Sequence, residues 1–112
     1  MIIDNNSIKR DLLFEIQTPI KLRVRVTRTH WELIVSVKHP VMAGRELDVK
    51  DTLENPDEIR VSRRDPTVFL FYKSEDVTRW LCAVVKRLNG EGFLITTYPT
   101  NAIKEGVKKW PR

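Results

Sequence analysis

Apolar and polar positions alternate most regularly in the second half of this chain. Four runs there, Glu58–Ser62, Thr67–Lys73, Arg79–Leu88 and Gly92–Tyr98, are rich in Val, Ile, Phe, Trp, Tyr and Thr. Turn-forming residues separate them: Arg64-Asp65-Pro66, Ser74-Glu75-Asp76 and Asn89-Gly90-Glu91-Gly92. β-branched and aromatic residues fit a pleated, half-buried surface, and such runs between turn clusters predict a four-stranded antiparallel meander.

The first half is mixed. Ile8, Leu12, Leu13 and Ile16 recur at helical spacing, which predicts a short amphipathic segment over Ile8–Ile16, ended by Pro19. Ile20–Thr27 alternates, with Leu22, Val24 and Val26 opposite Lys21, Arg23, Arg25 and Thr27, and is predicted to be a half-buried strand. Arg28–His39 reads two ways. Trp31, Leu33, Val35 and Val37 alternate like a strand, and propensity favours that reading. Trp31, Ile34, Val35 and Lys38 also form a helical stripe, with Thr27 placed as N-cap and Pro40 as the stop. Ala43–Leu53 carries Leu47, Val49 and Leu53 among charges before Asn55-Pro56, and is predicted to be a helix.

Composition narrows the class. A chain of 112 residues with 41% hydrophobic positions suits one domain over 1–112 with one modest core, residues 1–18 forming an N-terminal extension. No run approaches the roughly 20 apolar residues of a membrane span, and Met1–Arg10 lacks a signal-peptide pattern. A single cysteine, Cys82, allows no internal disulfide and suits the cytoplasm. Two histidines and one cysteine without ligand spacing imply no metal and no cofactor.

Charge points to a partner class. Twenty Lys and Arg against 15 Asp and Glu give a net charge of +5 and a pI near 9.6. The basic residues cluster at Arg23–Arg28, Arg60–Arg64, Arg79–Arg87 and Lys104–Arg112, whereas acids gather at Glu46–Glu58 and Glu75–Asp76. Segregation of that kind focuses positive potential and fits a polyanion.

The ordered set of elements resembles the barnase–EndoU–colicin–RelE nuclease superfamily, closest to its phage-type branch of compact, toxin-like ribonuclease domains. The match runs from about Arg23 to Trp110. It is carried by Trp31-Glu32-Leu33-Ile34 with Lys38-His39-Pro40, by Val49 to Ile59, by Phe69-Leu70-Phe71-Tyr72, by Val84-Val85-Lys86-Arg87-Leu88, and by Leu94 to Thr100 leading to Ile103-Lys104-Glu105-Gly106. The resemblance implies an α+β fold, two helices on one face of a twisted four- to five-stranded antiparallel sheet, and so makes Arg28–His39 a helix against its propensity. It also implies cleavage of RNA, with an antitoxin protein as a further partner.

The candidate chemistry follows. Metal-free RNA cleavage needs a base for the 2′-hydroxyl proton, an acid for the leaving oxygen, and cations for the charge on phosphorus. A histidine side chain ordinarily exchanges its proton near neutral pH, and the resemblance places His39 at a catalytic-type position. Lys86, on one strand face with Trp80, Cys82 and Val84, would hold a phosphate; Thr96 would donate to it. Arg60 and Ser62, two apart, would bind phosphate, and Tyr72 and Tyr98 would contact a base. Ordinary roles stay open for each: a capping histidine, a snorkelling lysine, a polar strand face, a core tyrosine. His30 and Cys82 are assigned no chemistry. A non-catalytic nucleic-acid-binding module, or a domain whose basic face meets an acidic protein, has the same sequence features.

Overall fold

The computed structural model describes residues 11–103 and 106–111. Seven strands form one sheet, β1 (Leu12–Gln17), β2 (Arg23–Thr27), β3 (Glu58–Val61), β4 (Val68–Asp76), β5 (Arg79–Leu88), β6 (Glu91–Thr100) and β7 (Val107–Trp110), in the order β1-β2-β6-β5-β4-β3-β7. The helices, α1 (Arg28–Leu33) and α2 (Glu46–Glu54), lie between β2 and β3. The class is α+β, as expected, with more strands than expected. The sheet is also mixed, because β2 joins β6 in parallel at Val24–Gly92 and Arg25–Phe93. That joint is made by residues far apart in sequence, so no local pattern announces it.

The predicted helix over Ile8–Ile16 is not formed where the chain is described; its first residues lie outside the described ones. Leu12–Gln17 is instead an edge strand paired with β2. A register shift between Leu12 and Phe14 interrupts the alternation. A bulge of this kind places consecutive apolar residues in a strand and imitates helical spacing. Beyond it, Phe14 and Ile16 stand opposite Val26 and Val24 and share their face.

Arg28–Lys38 is helical, and His39, expected within the helix, is the non-helical residue that ends it. Thr27 is extended, and its Oγ1 accepts the His30 amide at 3.1 Å, a side-chain cap for the first turn. Trp31 and Ile34 are buried, and Val35 packs against the same core. From Ile34 to Lys38 the turn widens to a π-helix, closed by the His39 amide on the Ile34 carbonyl at 2.7 Å. Tertiary burial of Trp31 and Ile34 thus overrides the strand propensity of Val35 and Val37. In α2, Val49, Thr52 and Leu53 face inward while Leu47, part of the expected stripe, is 79% exposed. The buried stripe is completed by Thr52, whose Oγ1 satisfies itself on the Asp48 carbonyl at 2.8 Å.

The four meander strands form, but β4 runs on through Ser74–Asp76, expected as a turn, and β6 extends from Glu91 to Thr100; the two faces of the meander differ. One face presents Phe69, Phe71, Leu81, Ala83 and Val85 to Trp31, Ile34, Met42, Val49 and Leu53, so both helices pack on it. The opposite face has a smaller cluster of Leu70, Tyr72 and Cys82, with Trp80, Val84, Tyr98 and Ile103 around it. The strand order requires the connection from β6 to β7 to pass β5, β4 and β3, and Ile103 packs on the cluster from this connection. At its far end Gly106 has φ +86°, and a Cβ there would stand 2.6 Å from the Val61 carbonyl oxygen. Only glycine fits such an approach without backbone movement.

Replacing Trp31, 6% exposed, by Ala should cost about 3–5 kcal/mol of unfolding free energy. Leu33→Ala on the same helix, 45% exposed, should change it by less than about 0.5 kcal/mol. Urea unfolding followed by fluorescence and circular dichroism measures both; equal costs would place the wrong helix face in the core.

Candidate functional site

Strand pairing sets which candidate residues share a surface, because directly opposed residues project from the same side of a sheet. Tyr72 pairs with Glu58 and Cys82, and Cys82 with Tyr98. Arg60 pairs with Leu70, Leu70 with Val84, and Val84 with Thr96; Lys86 stands opposite Val68. Arg60, Tyr72, Lys86, Thr96 and Tyr98 therefore share the face turned away from the helices. Ser62 lies just past the end of β3, its amide on the Val68 carbonyl and its Oγ accepting the Arg64 amide at 3.2 Å.

At one end of this face the cations already have carboxylate partners. Lys86 Nζ donates to Asp65 Oδ2 at 2.7 Å. The other Asp65 oxygen accepts the Thr67 hydroxyl at 2.6 Å and amide at 2.9 Å. The Lys86 ammonium first, then these Thr67 donors, hold the Asp65 carboxyl well below the usual carboxylate range. Arg60 Nε pairs with Glu58 Oε2, and its guanidinium donates to the Gly106 carbonyl at 3.1 Å. Further along, Arg25 sits between Glu15 and Glu91 at 3.4 and 3.0 Å. The clustered basic residues of the sequence are thus partly balanced by acids brought in from other strands. Arg63 and Arg64 remain exposed in the β3–β4 turn beside Lys86.

Tyr72 is 2% exposed and belongs to the apolar cluster under Ile103, so base stacking at this position is corrected to a core role. Thr96 Oγ1 is buried without a hydrogen-bond partner among the described residues. Cys82 is buried and unbridged, as a small core residue.

The other end of the face meets the helix terminus. His39 follows the π turn, and its ring lies 5.3 Å from the Tyr98 ring at a 37° tilt. Beside them the β5–β6 ladder slips: Val84 pairs with Thr96 but Val85 with Leu94, leaving Ile95 as the extra residue. Its carbonyl takes Nε2 of His30 at 2.8 Å and Nζ of Lys38 at 3.2 Å. His30, Lys38, His39, Thr96 and Tyr98 thus gather at the edge of β6. From the sequence, His30 carries no assigned chemistry, and Lys38 counts only as a member of the helical stripe and of the Lys38-His39-Pro40 match. The residual signal is that positions 30, 34 and 38 share a helix side with Ile34 buried between.

His39 and Lys86 do not meet over one point. His39 lies against the Cys82–Tyr98 pair, and Lys86 is four residues further along β5, about 13 Å of extended strand away. Among the described residues, no three His, Cys, Asp or Glu side chains gather as metal ligands, and no helix is long and apolar enough to cross a membrane. A separate pocket of about 390 Å³ is lined by Arg45, Asp48, Asp51, Lys73 and Glu75. These charges pair with one another, so the pocket is a structural network.

Comparison with family models, with curated proteins and with solved structures finds no match.

The Asp65–Lys86 pair has a pH signature. A carboxyl whose folded pKa is depressed stabilises the fold above its ordinary value near 3.8, and that contribution is lost as pH falls toward the lower folded value. Asp65→Asn should therefore lower the urea midpoint at pH 7, and the gap to the parent protein should shrink below about pH 4. An unchanged gap at pH 2 would show that the pair is not its source.

Proposed function

We propose that this chain is a metal-independent endoribonuclease of the toxin type, a divergent member of the barnase–EndoU–colicin–RelE superfamily acting in the cytoplasm. One observation carries the reading: the His39 imidazole lies against Tyr98 at the edge of β6, with the Lys38 ammonium at the same edge. Neutral His39 takes the 2′-hydroxyl proton, the 2′ oxygen bonds to phosphorus, and the bond to the 5′ oxygen breaks. That oxygen takes a proton from the Lys38 ammonium. The products are a 2′,3′-cyclic phosphate and a 5′-hydroxyl.

Tyr98 orients the reacting nucleotide, in place of the Thr96–Tyr98 pair expected, because the Thr96 hydroxyl is buried. Lys86, Arg60 and Ser62 hold flanking phosphates along the same face, in place of the single-phosphate cluster expected with His39. Their carboxylate partners, Asp65 and Glu58, keep the cations in place and lower the cost of immobilising them on binding. An acidic antitoxin would cover the same face.

The second reading is a non-catalytic nucleic-acid-binding or antitoxin-binding domain of the same fold. It is favoured by the length of strand between His39 and Lys86 and by the prior pairing of the cations.

Purified protein incubated with RNA in excess chelator should cut it and leave cyclic-phosphate ends. His39→Ala should lower kcat roughly 10²–10⁴-fold with RNA affinity nearly unchanged. Lys86→Ala should weaken binding and flatten its salt dependence by about one phosphate contact. Cleavage that needs added magnesium would overturn the metal-free mechanism, and salt-sensitive binding without cleavage would select the second reading.

A further inference from the structure

We propose that His30 is a positioning residue of this site: its ring, together with Lys38, clamps the helix terminus that carries His39 onto the bulged carbonyl of Ile95. The inference rests on the reading of His39 as the acid–base group.

The need for a clamp is physical. α1 has six residues before the π turn, too short to hold its own direction. Its burial through Trp31 and Ile34 fixes which face meets the sheet, but apolar packing is non-directional and leaves the terminus free to slide along β6. His39 must nonetheless sit at a fixed point relative to Thr96 and Tyr98. Hydrogen bonds give that point, provided β6 offers an acceptor outside its ladder.

The open edge of β6 offers one. Carbonyls along a strand point alternately to its two sides, and beyond Phe93 those on the β2 side have no strand partner among the described residues, while the register shift leaves Ile95 as the extra residue. Its carbonyl accepts both His30 and Lys38. The two side chains reach it from positions on either side of buried Ile34, so the terminus is fixed at two points of the helix and one of the strand. His30 needs its Nε2 proton for this bond, because a carbonyl only accepts. The His30 amide is already used by the Thr27 cap, which leaves the ring as a separate contact. Neighbouring Thr96 and Tyr98 are then held in register with His39, whose ring rests on Tyr98.

The test compares His30→Ala with His30→Gln in the full chain, because a glutamine amide can replace the Nε2 donor. One readout needs no activity: the ring-current displacement of the His39 Hε1 resonance by Tyr98, referenced to Tyr98→Leu. His30→Ala should abolish most of this displacement and lower kcat roughly 10- to 100-fold, as expected when a reacting group is misplaced by about 1 Å. KM should stay within about threefold. His30→Gln should restore both readouts, with circular dichroism showing both variants folded. A displacement in His30→Ala equal to the parent's, or no recovery in His30→Gln, would overturn the clamp. An inactive parent protein would refute the nuclease reading alone, since the resonance still decides whether His30 positions His39.

Discussion

Among the described residues, the second half of β6 has a strand partner on one side only, and much of the molecule is arranged around that fact. β2 joins β6 in parallel at Gly92 and Phe93 and then leaves to begin α1, so from Ile95 onward the edge must be covered by something else. An uncovered edge presents unpaired amide and carbonyl groups, which are costly when buried and prone to illicit pairing when exposed. Here the helix terminus covers it. At the bulge, His30 and Lys38 satisfy the Ile95 carbonyl, and His39 comes to rest on Tyr98. The requirement of the edge and the gathering of proton-active groups are the same structural event.

The sheet face away from the helices shows how a small fold accommodates both packing and polarity. Its centre is apolar, with Leu70, Tyr72 and Cys82 buried beneath Ile103, and its ends are polar. Apolar burial at the centre stabilises the sheet without a third layer. The cations at one end are placed by Asp65 and Glu58. Such partly exposed pairs contribute modestly to stability and restrain long side chains in one geometry. A polyanion lying along the face would meet positioned charge at the Lys86 end and the His39 and Tyr98 rings at the other.

Local chemistry made much of this legible. The four meander strands are set by β-branched and aromatic runs between turn residues, and all four form. The Thr27 cap and the Trp31–Ile34 stripe mark α1, although Val35 and Val37 favour a strand. The sharing of one face by Arg60, Lys86, Thr96 and Tyr98 follows from period-two alternation, which survives because the register is pinned on the buried side. What stayed hidden depends on distance in sequence. The parallel joint brings Val24 to Gly92, β7 pairs with β3 across the crossing connection, and Asp65 reaches Lys86 only once β4 and β5 are aligned. Two bulges are hidden as well: one near Leu12 imitates a helix, and another at Ile95 lies beside a carbonyl acceptor that no motif marks. Spacing along the chain cannot show that Tyr72 is covered, or that His39 and Lys86 share a face yet stand at its two ends.

The most direct measurement of the central claim is amide and side-chain chemical-shift mapping with a short 2′-deoxy oligonucleotide. Such a ligand carries the phosphates of RNA but lacks the hydroxyl that His39 would deprotonate, so it binds without being cut. Shifts are expected in His39, Lys38, Thr96 and Tyr98, continuing along the same face to Lys86 and Arg60. Shifts confined to the helix-covered side or to the β1 edge, with the His39 and Tyr98 resonances unmoved, would contradict that claim.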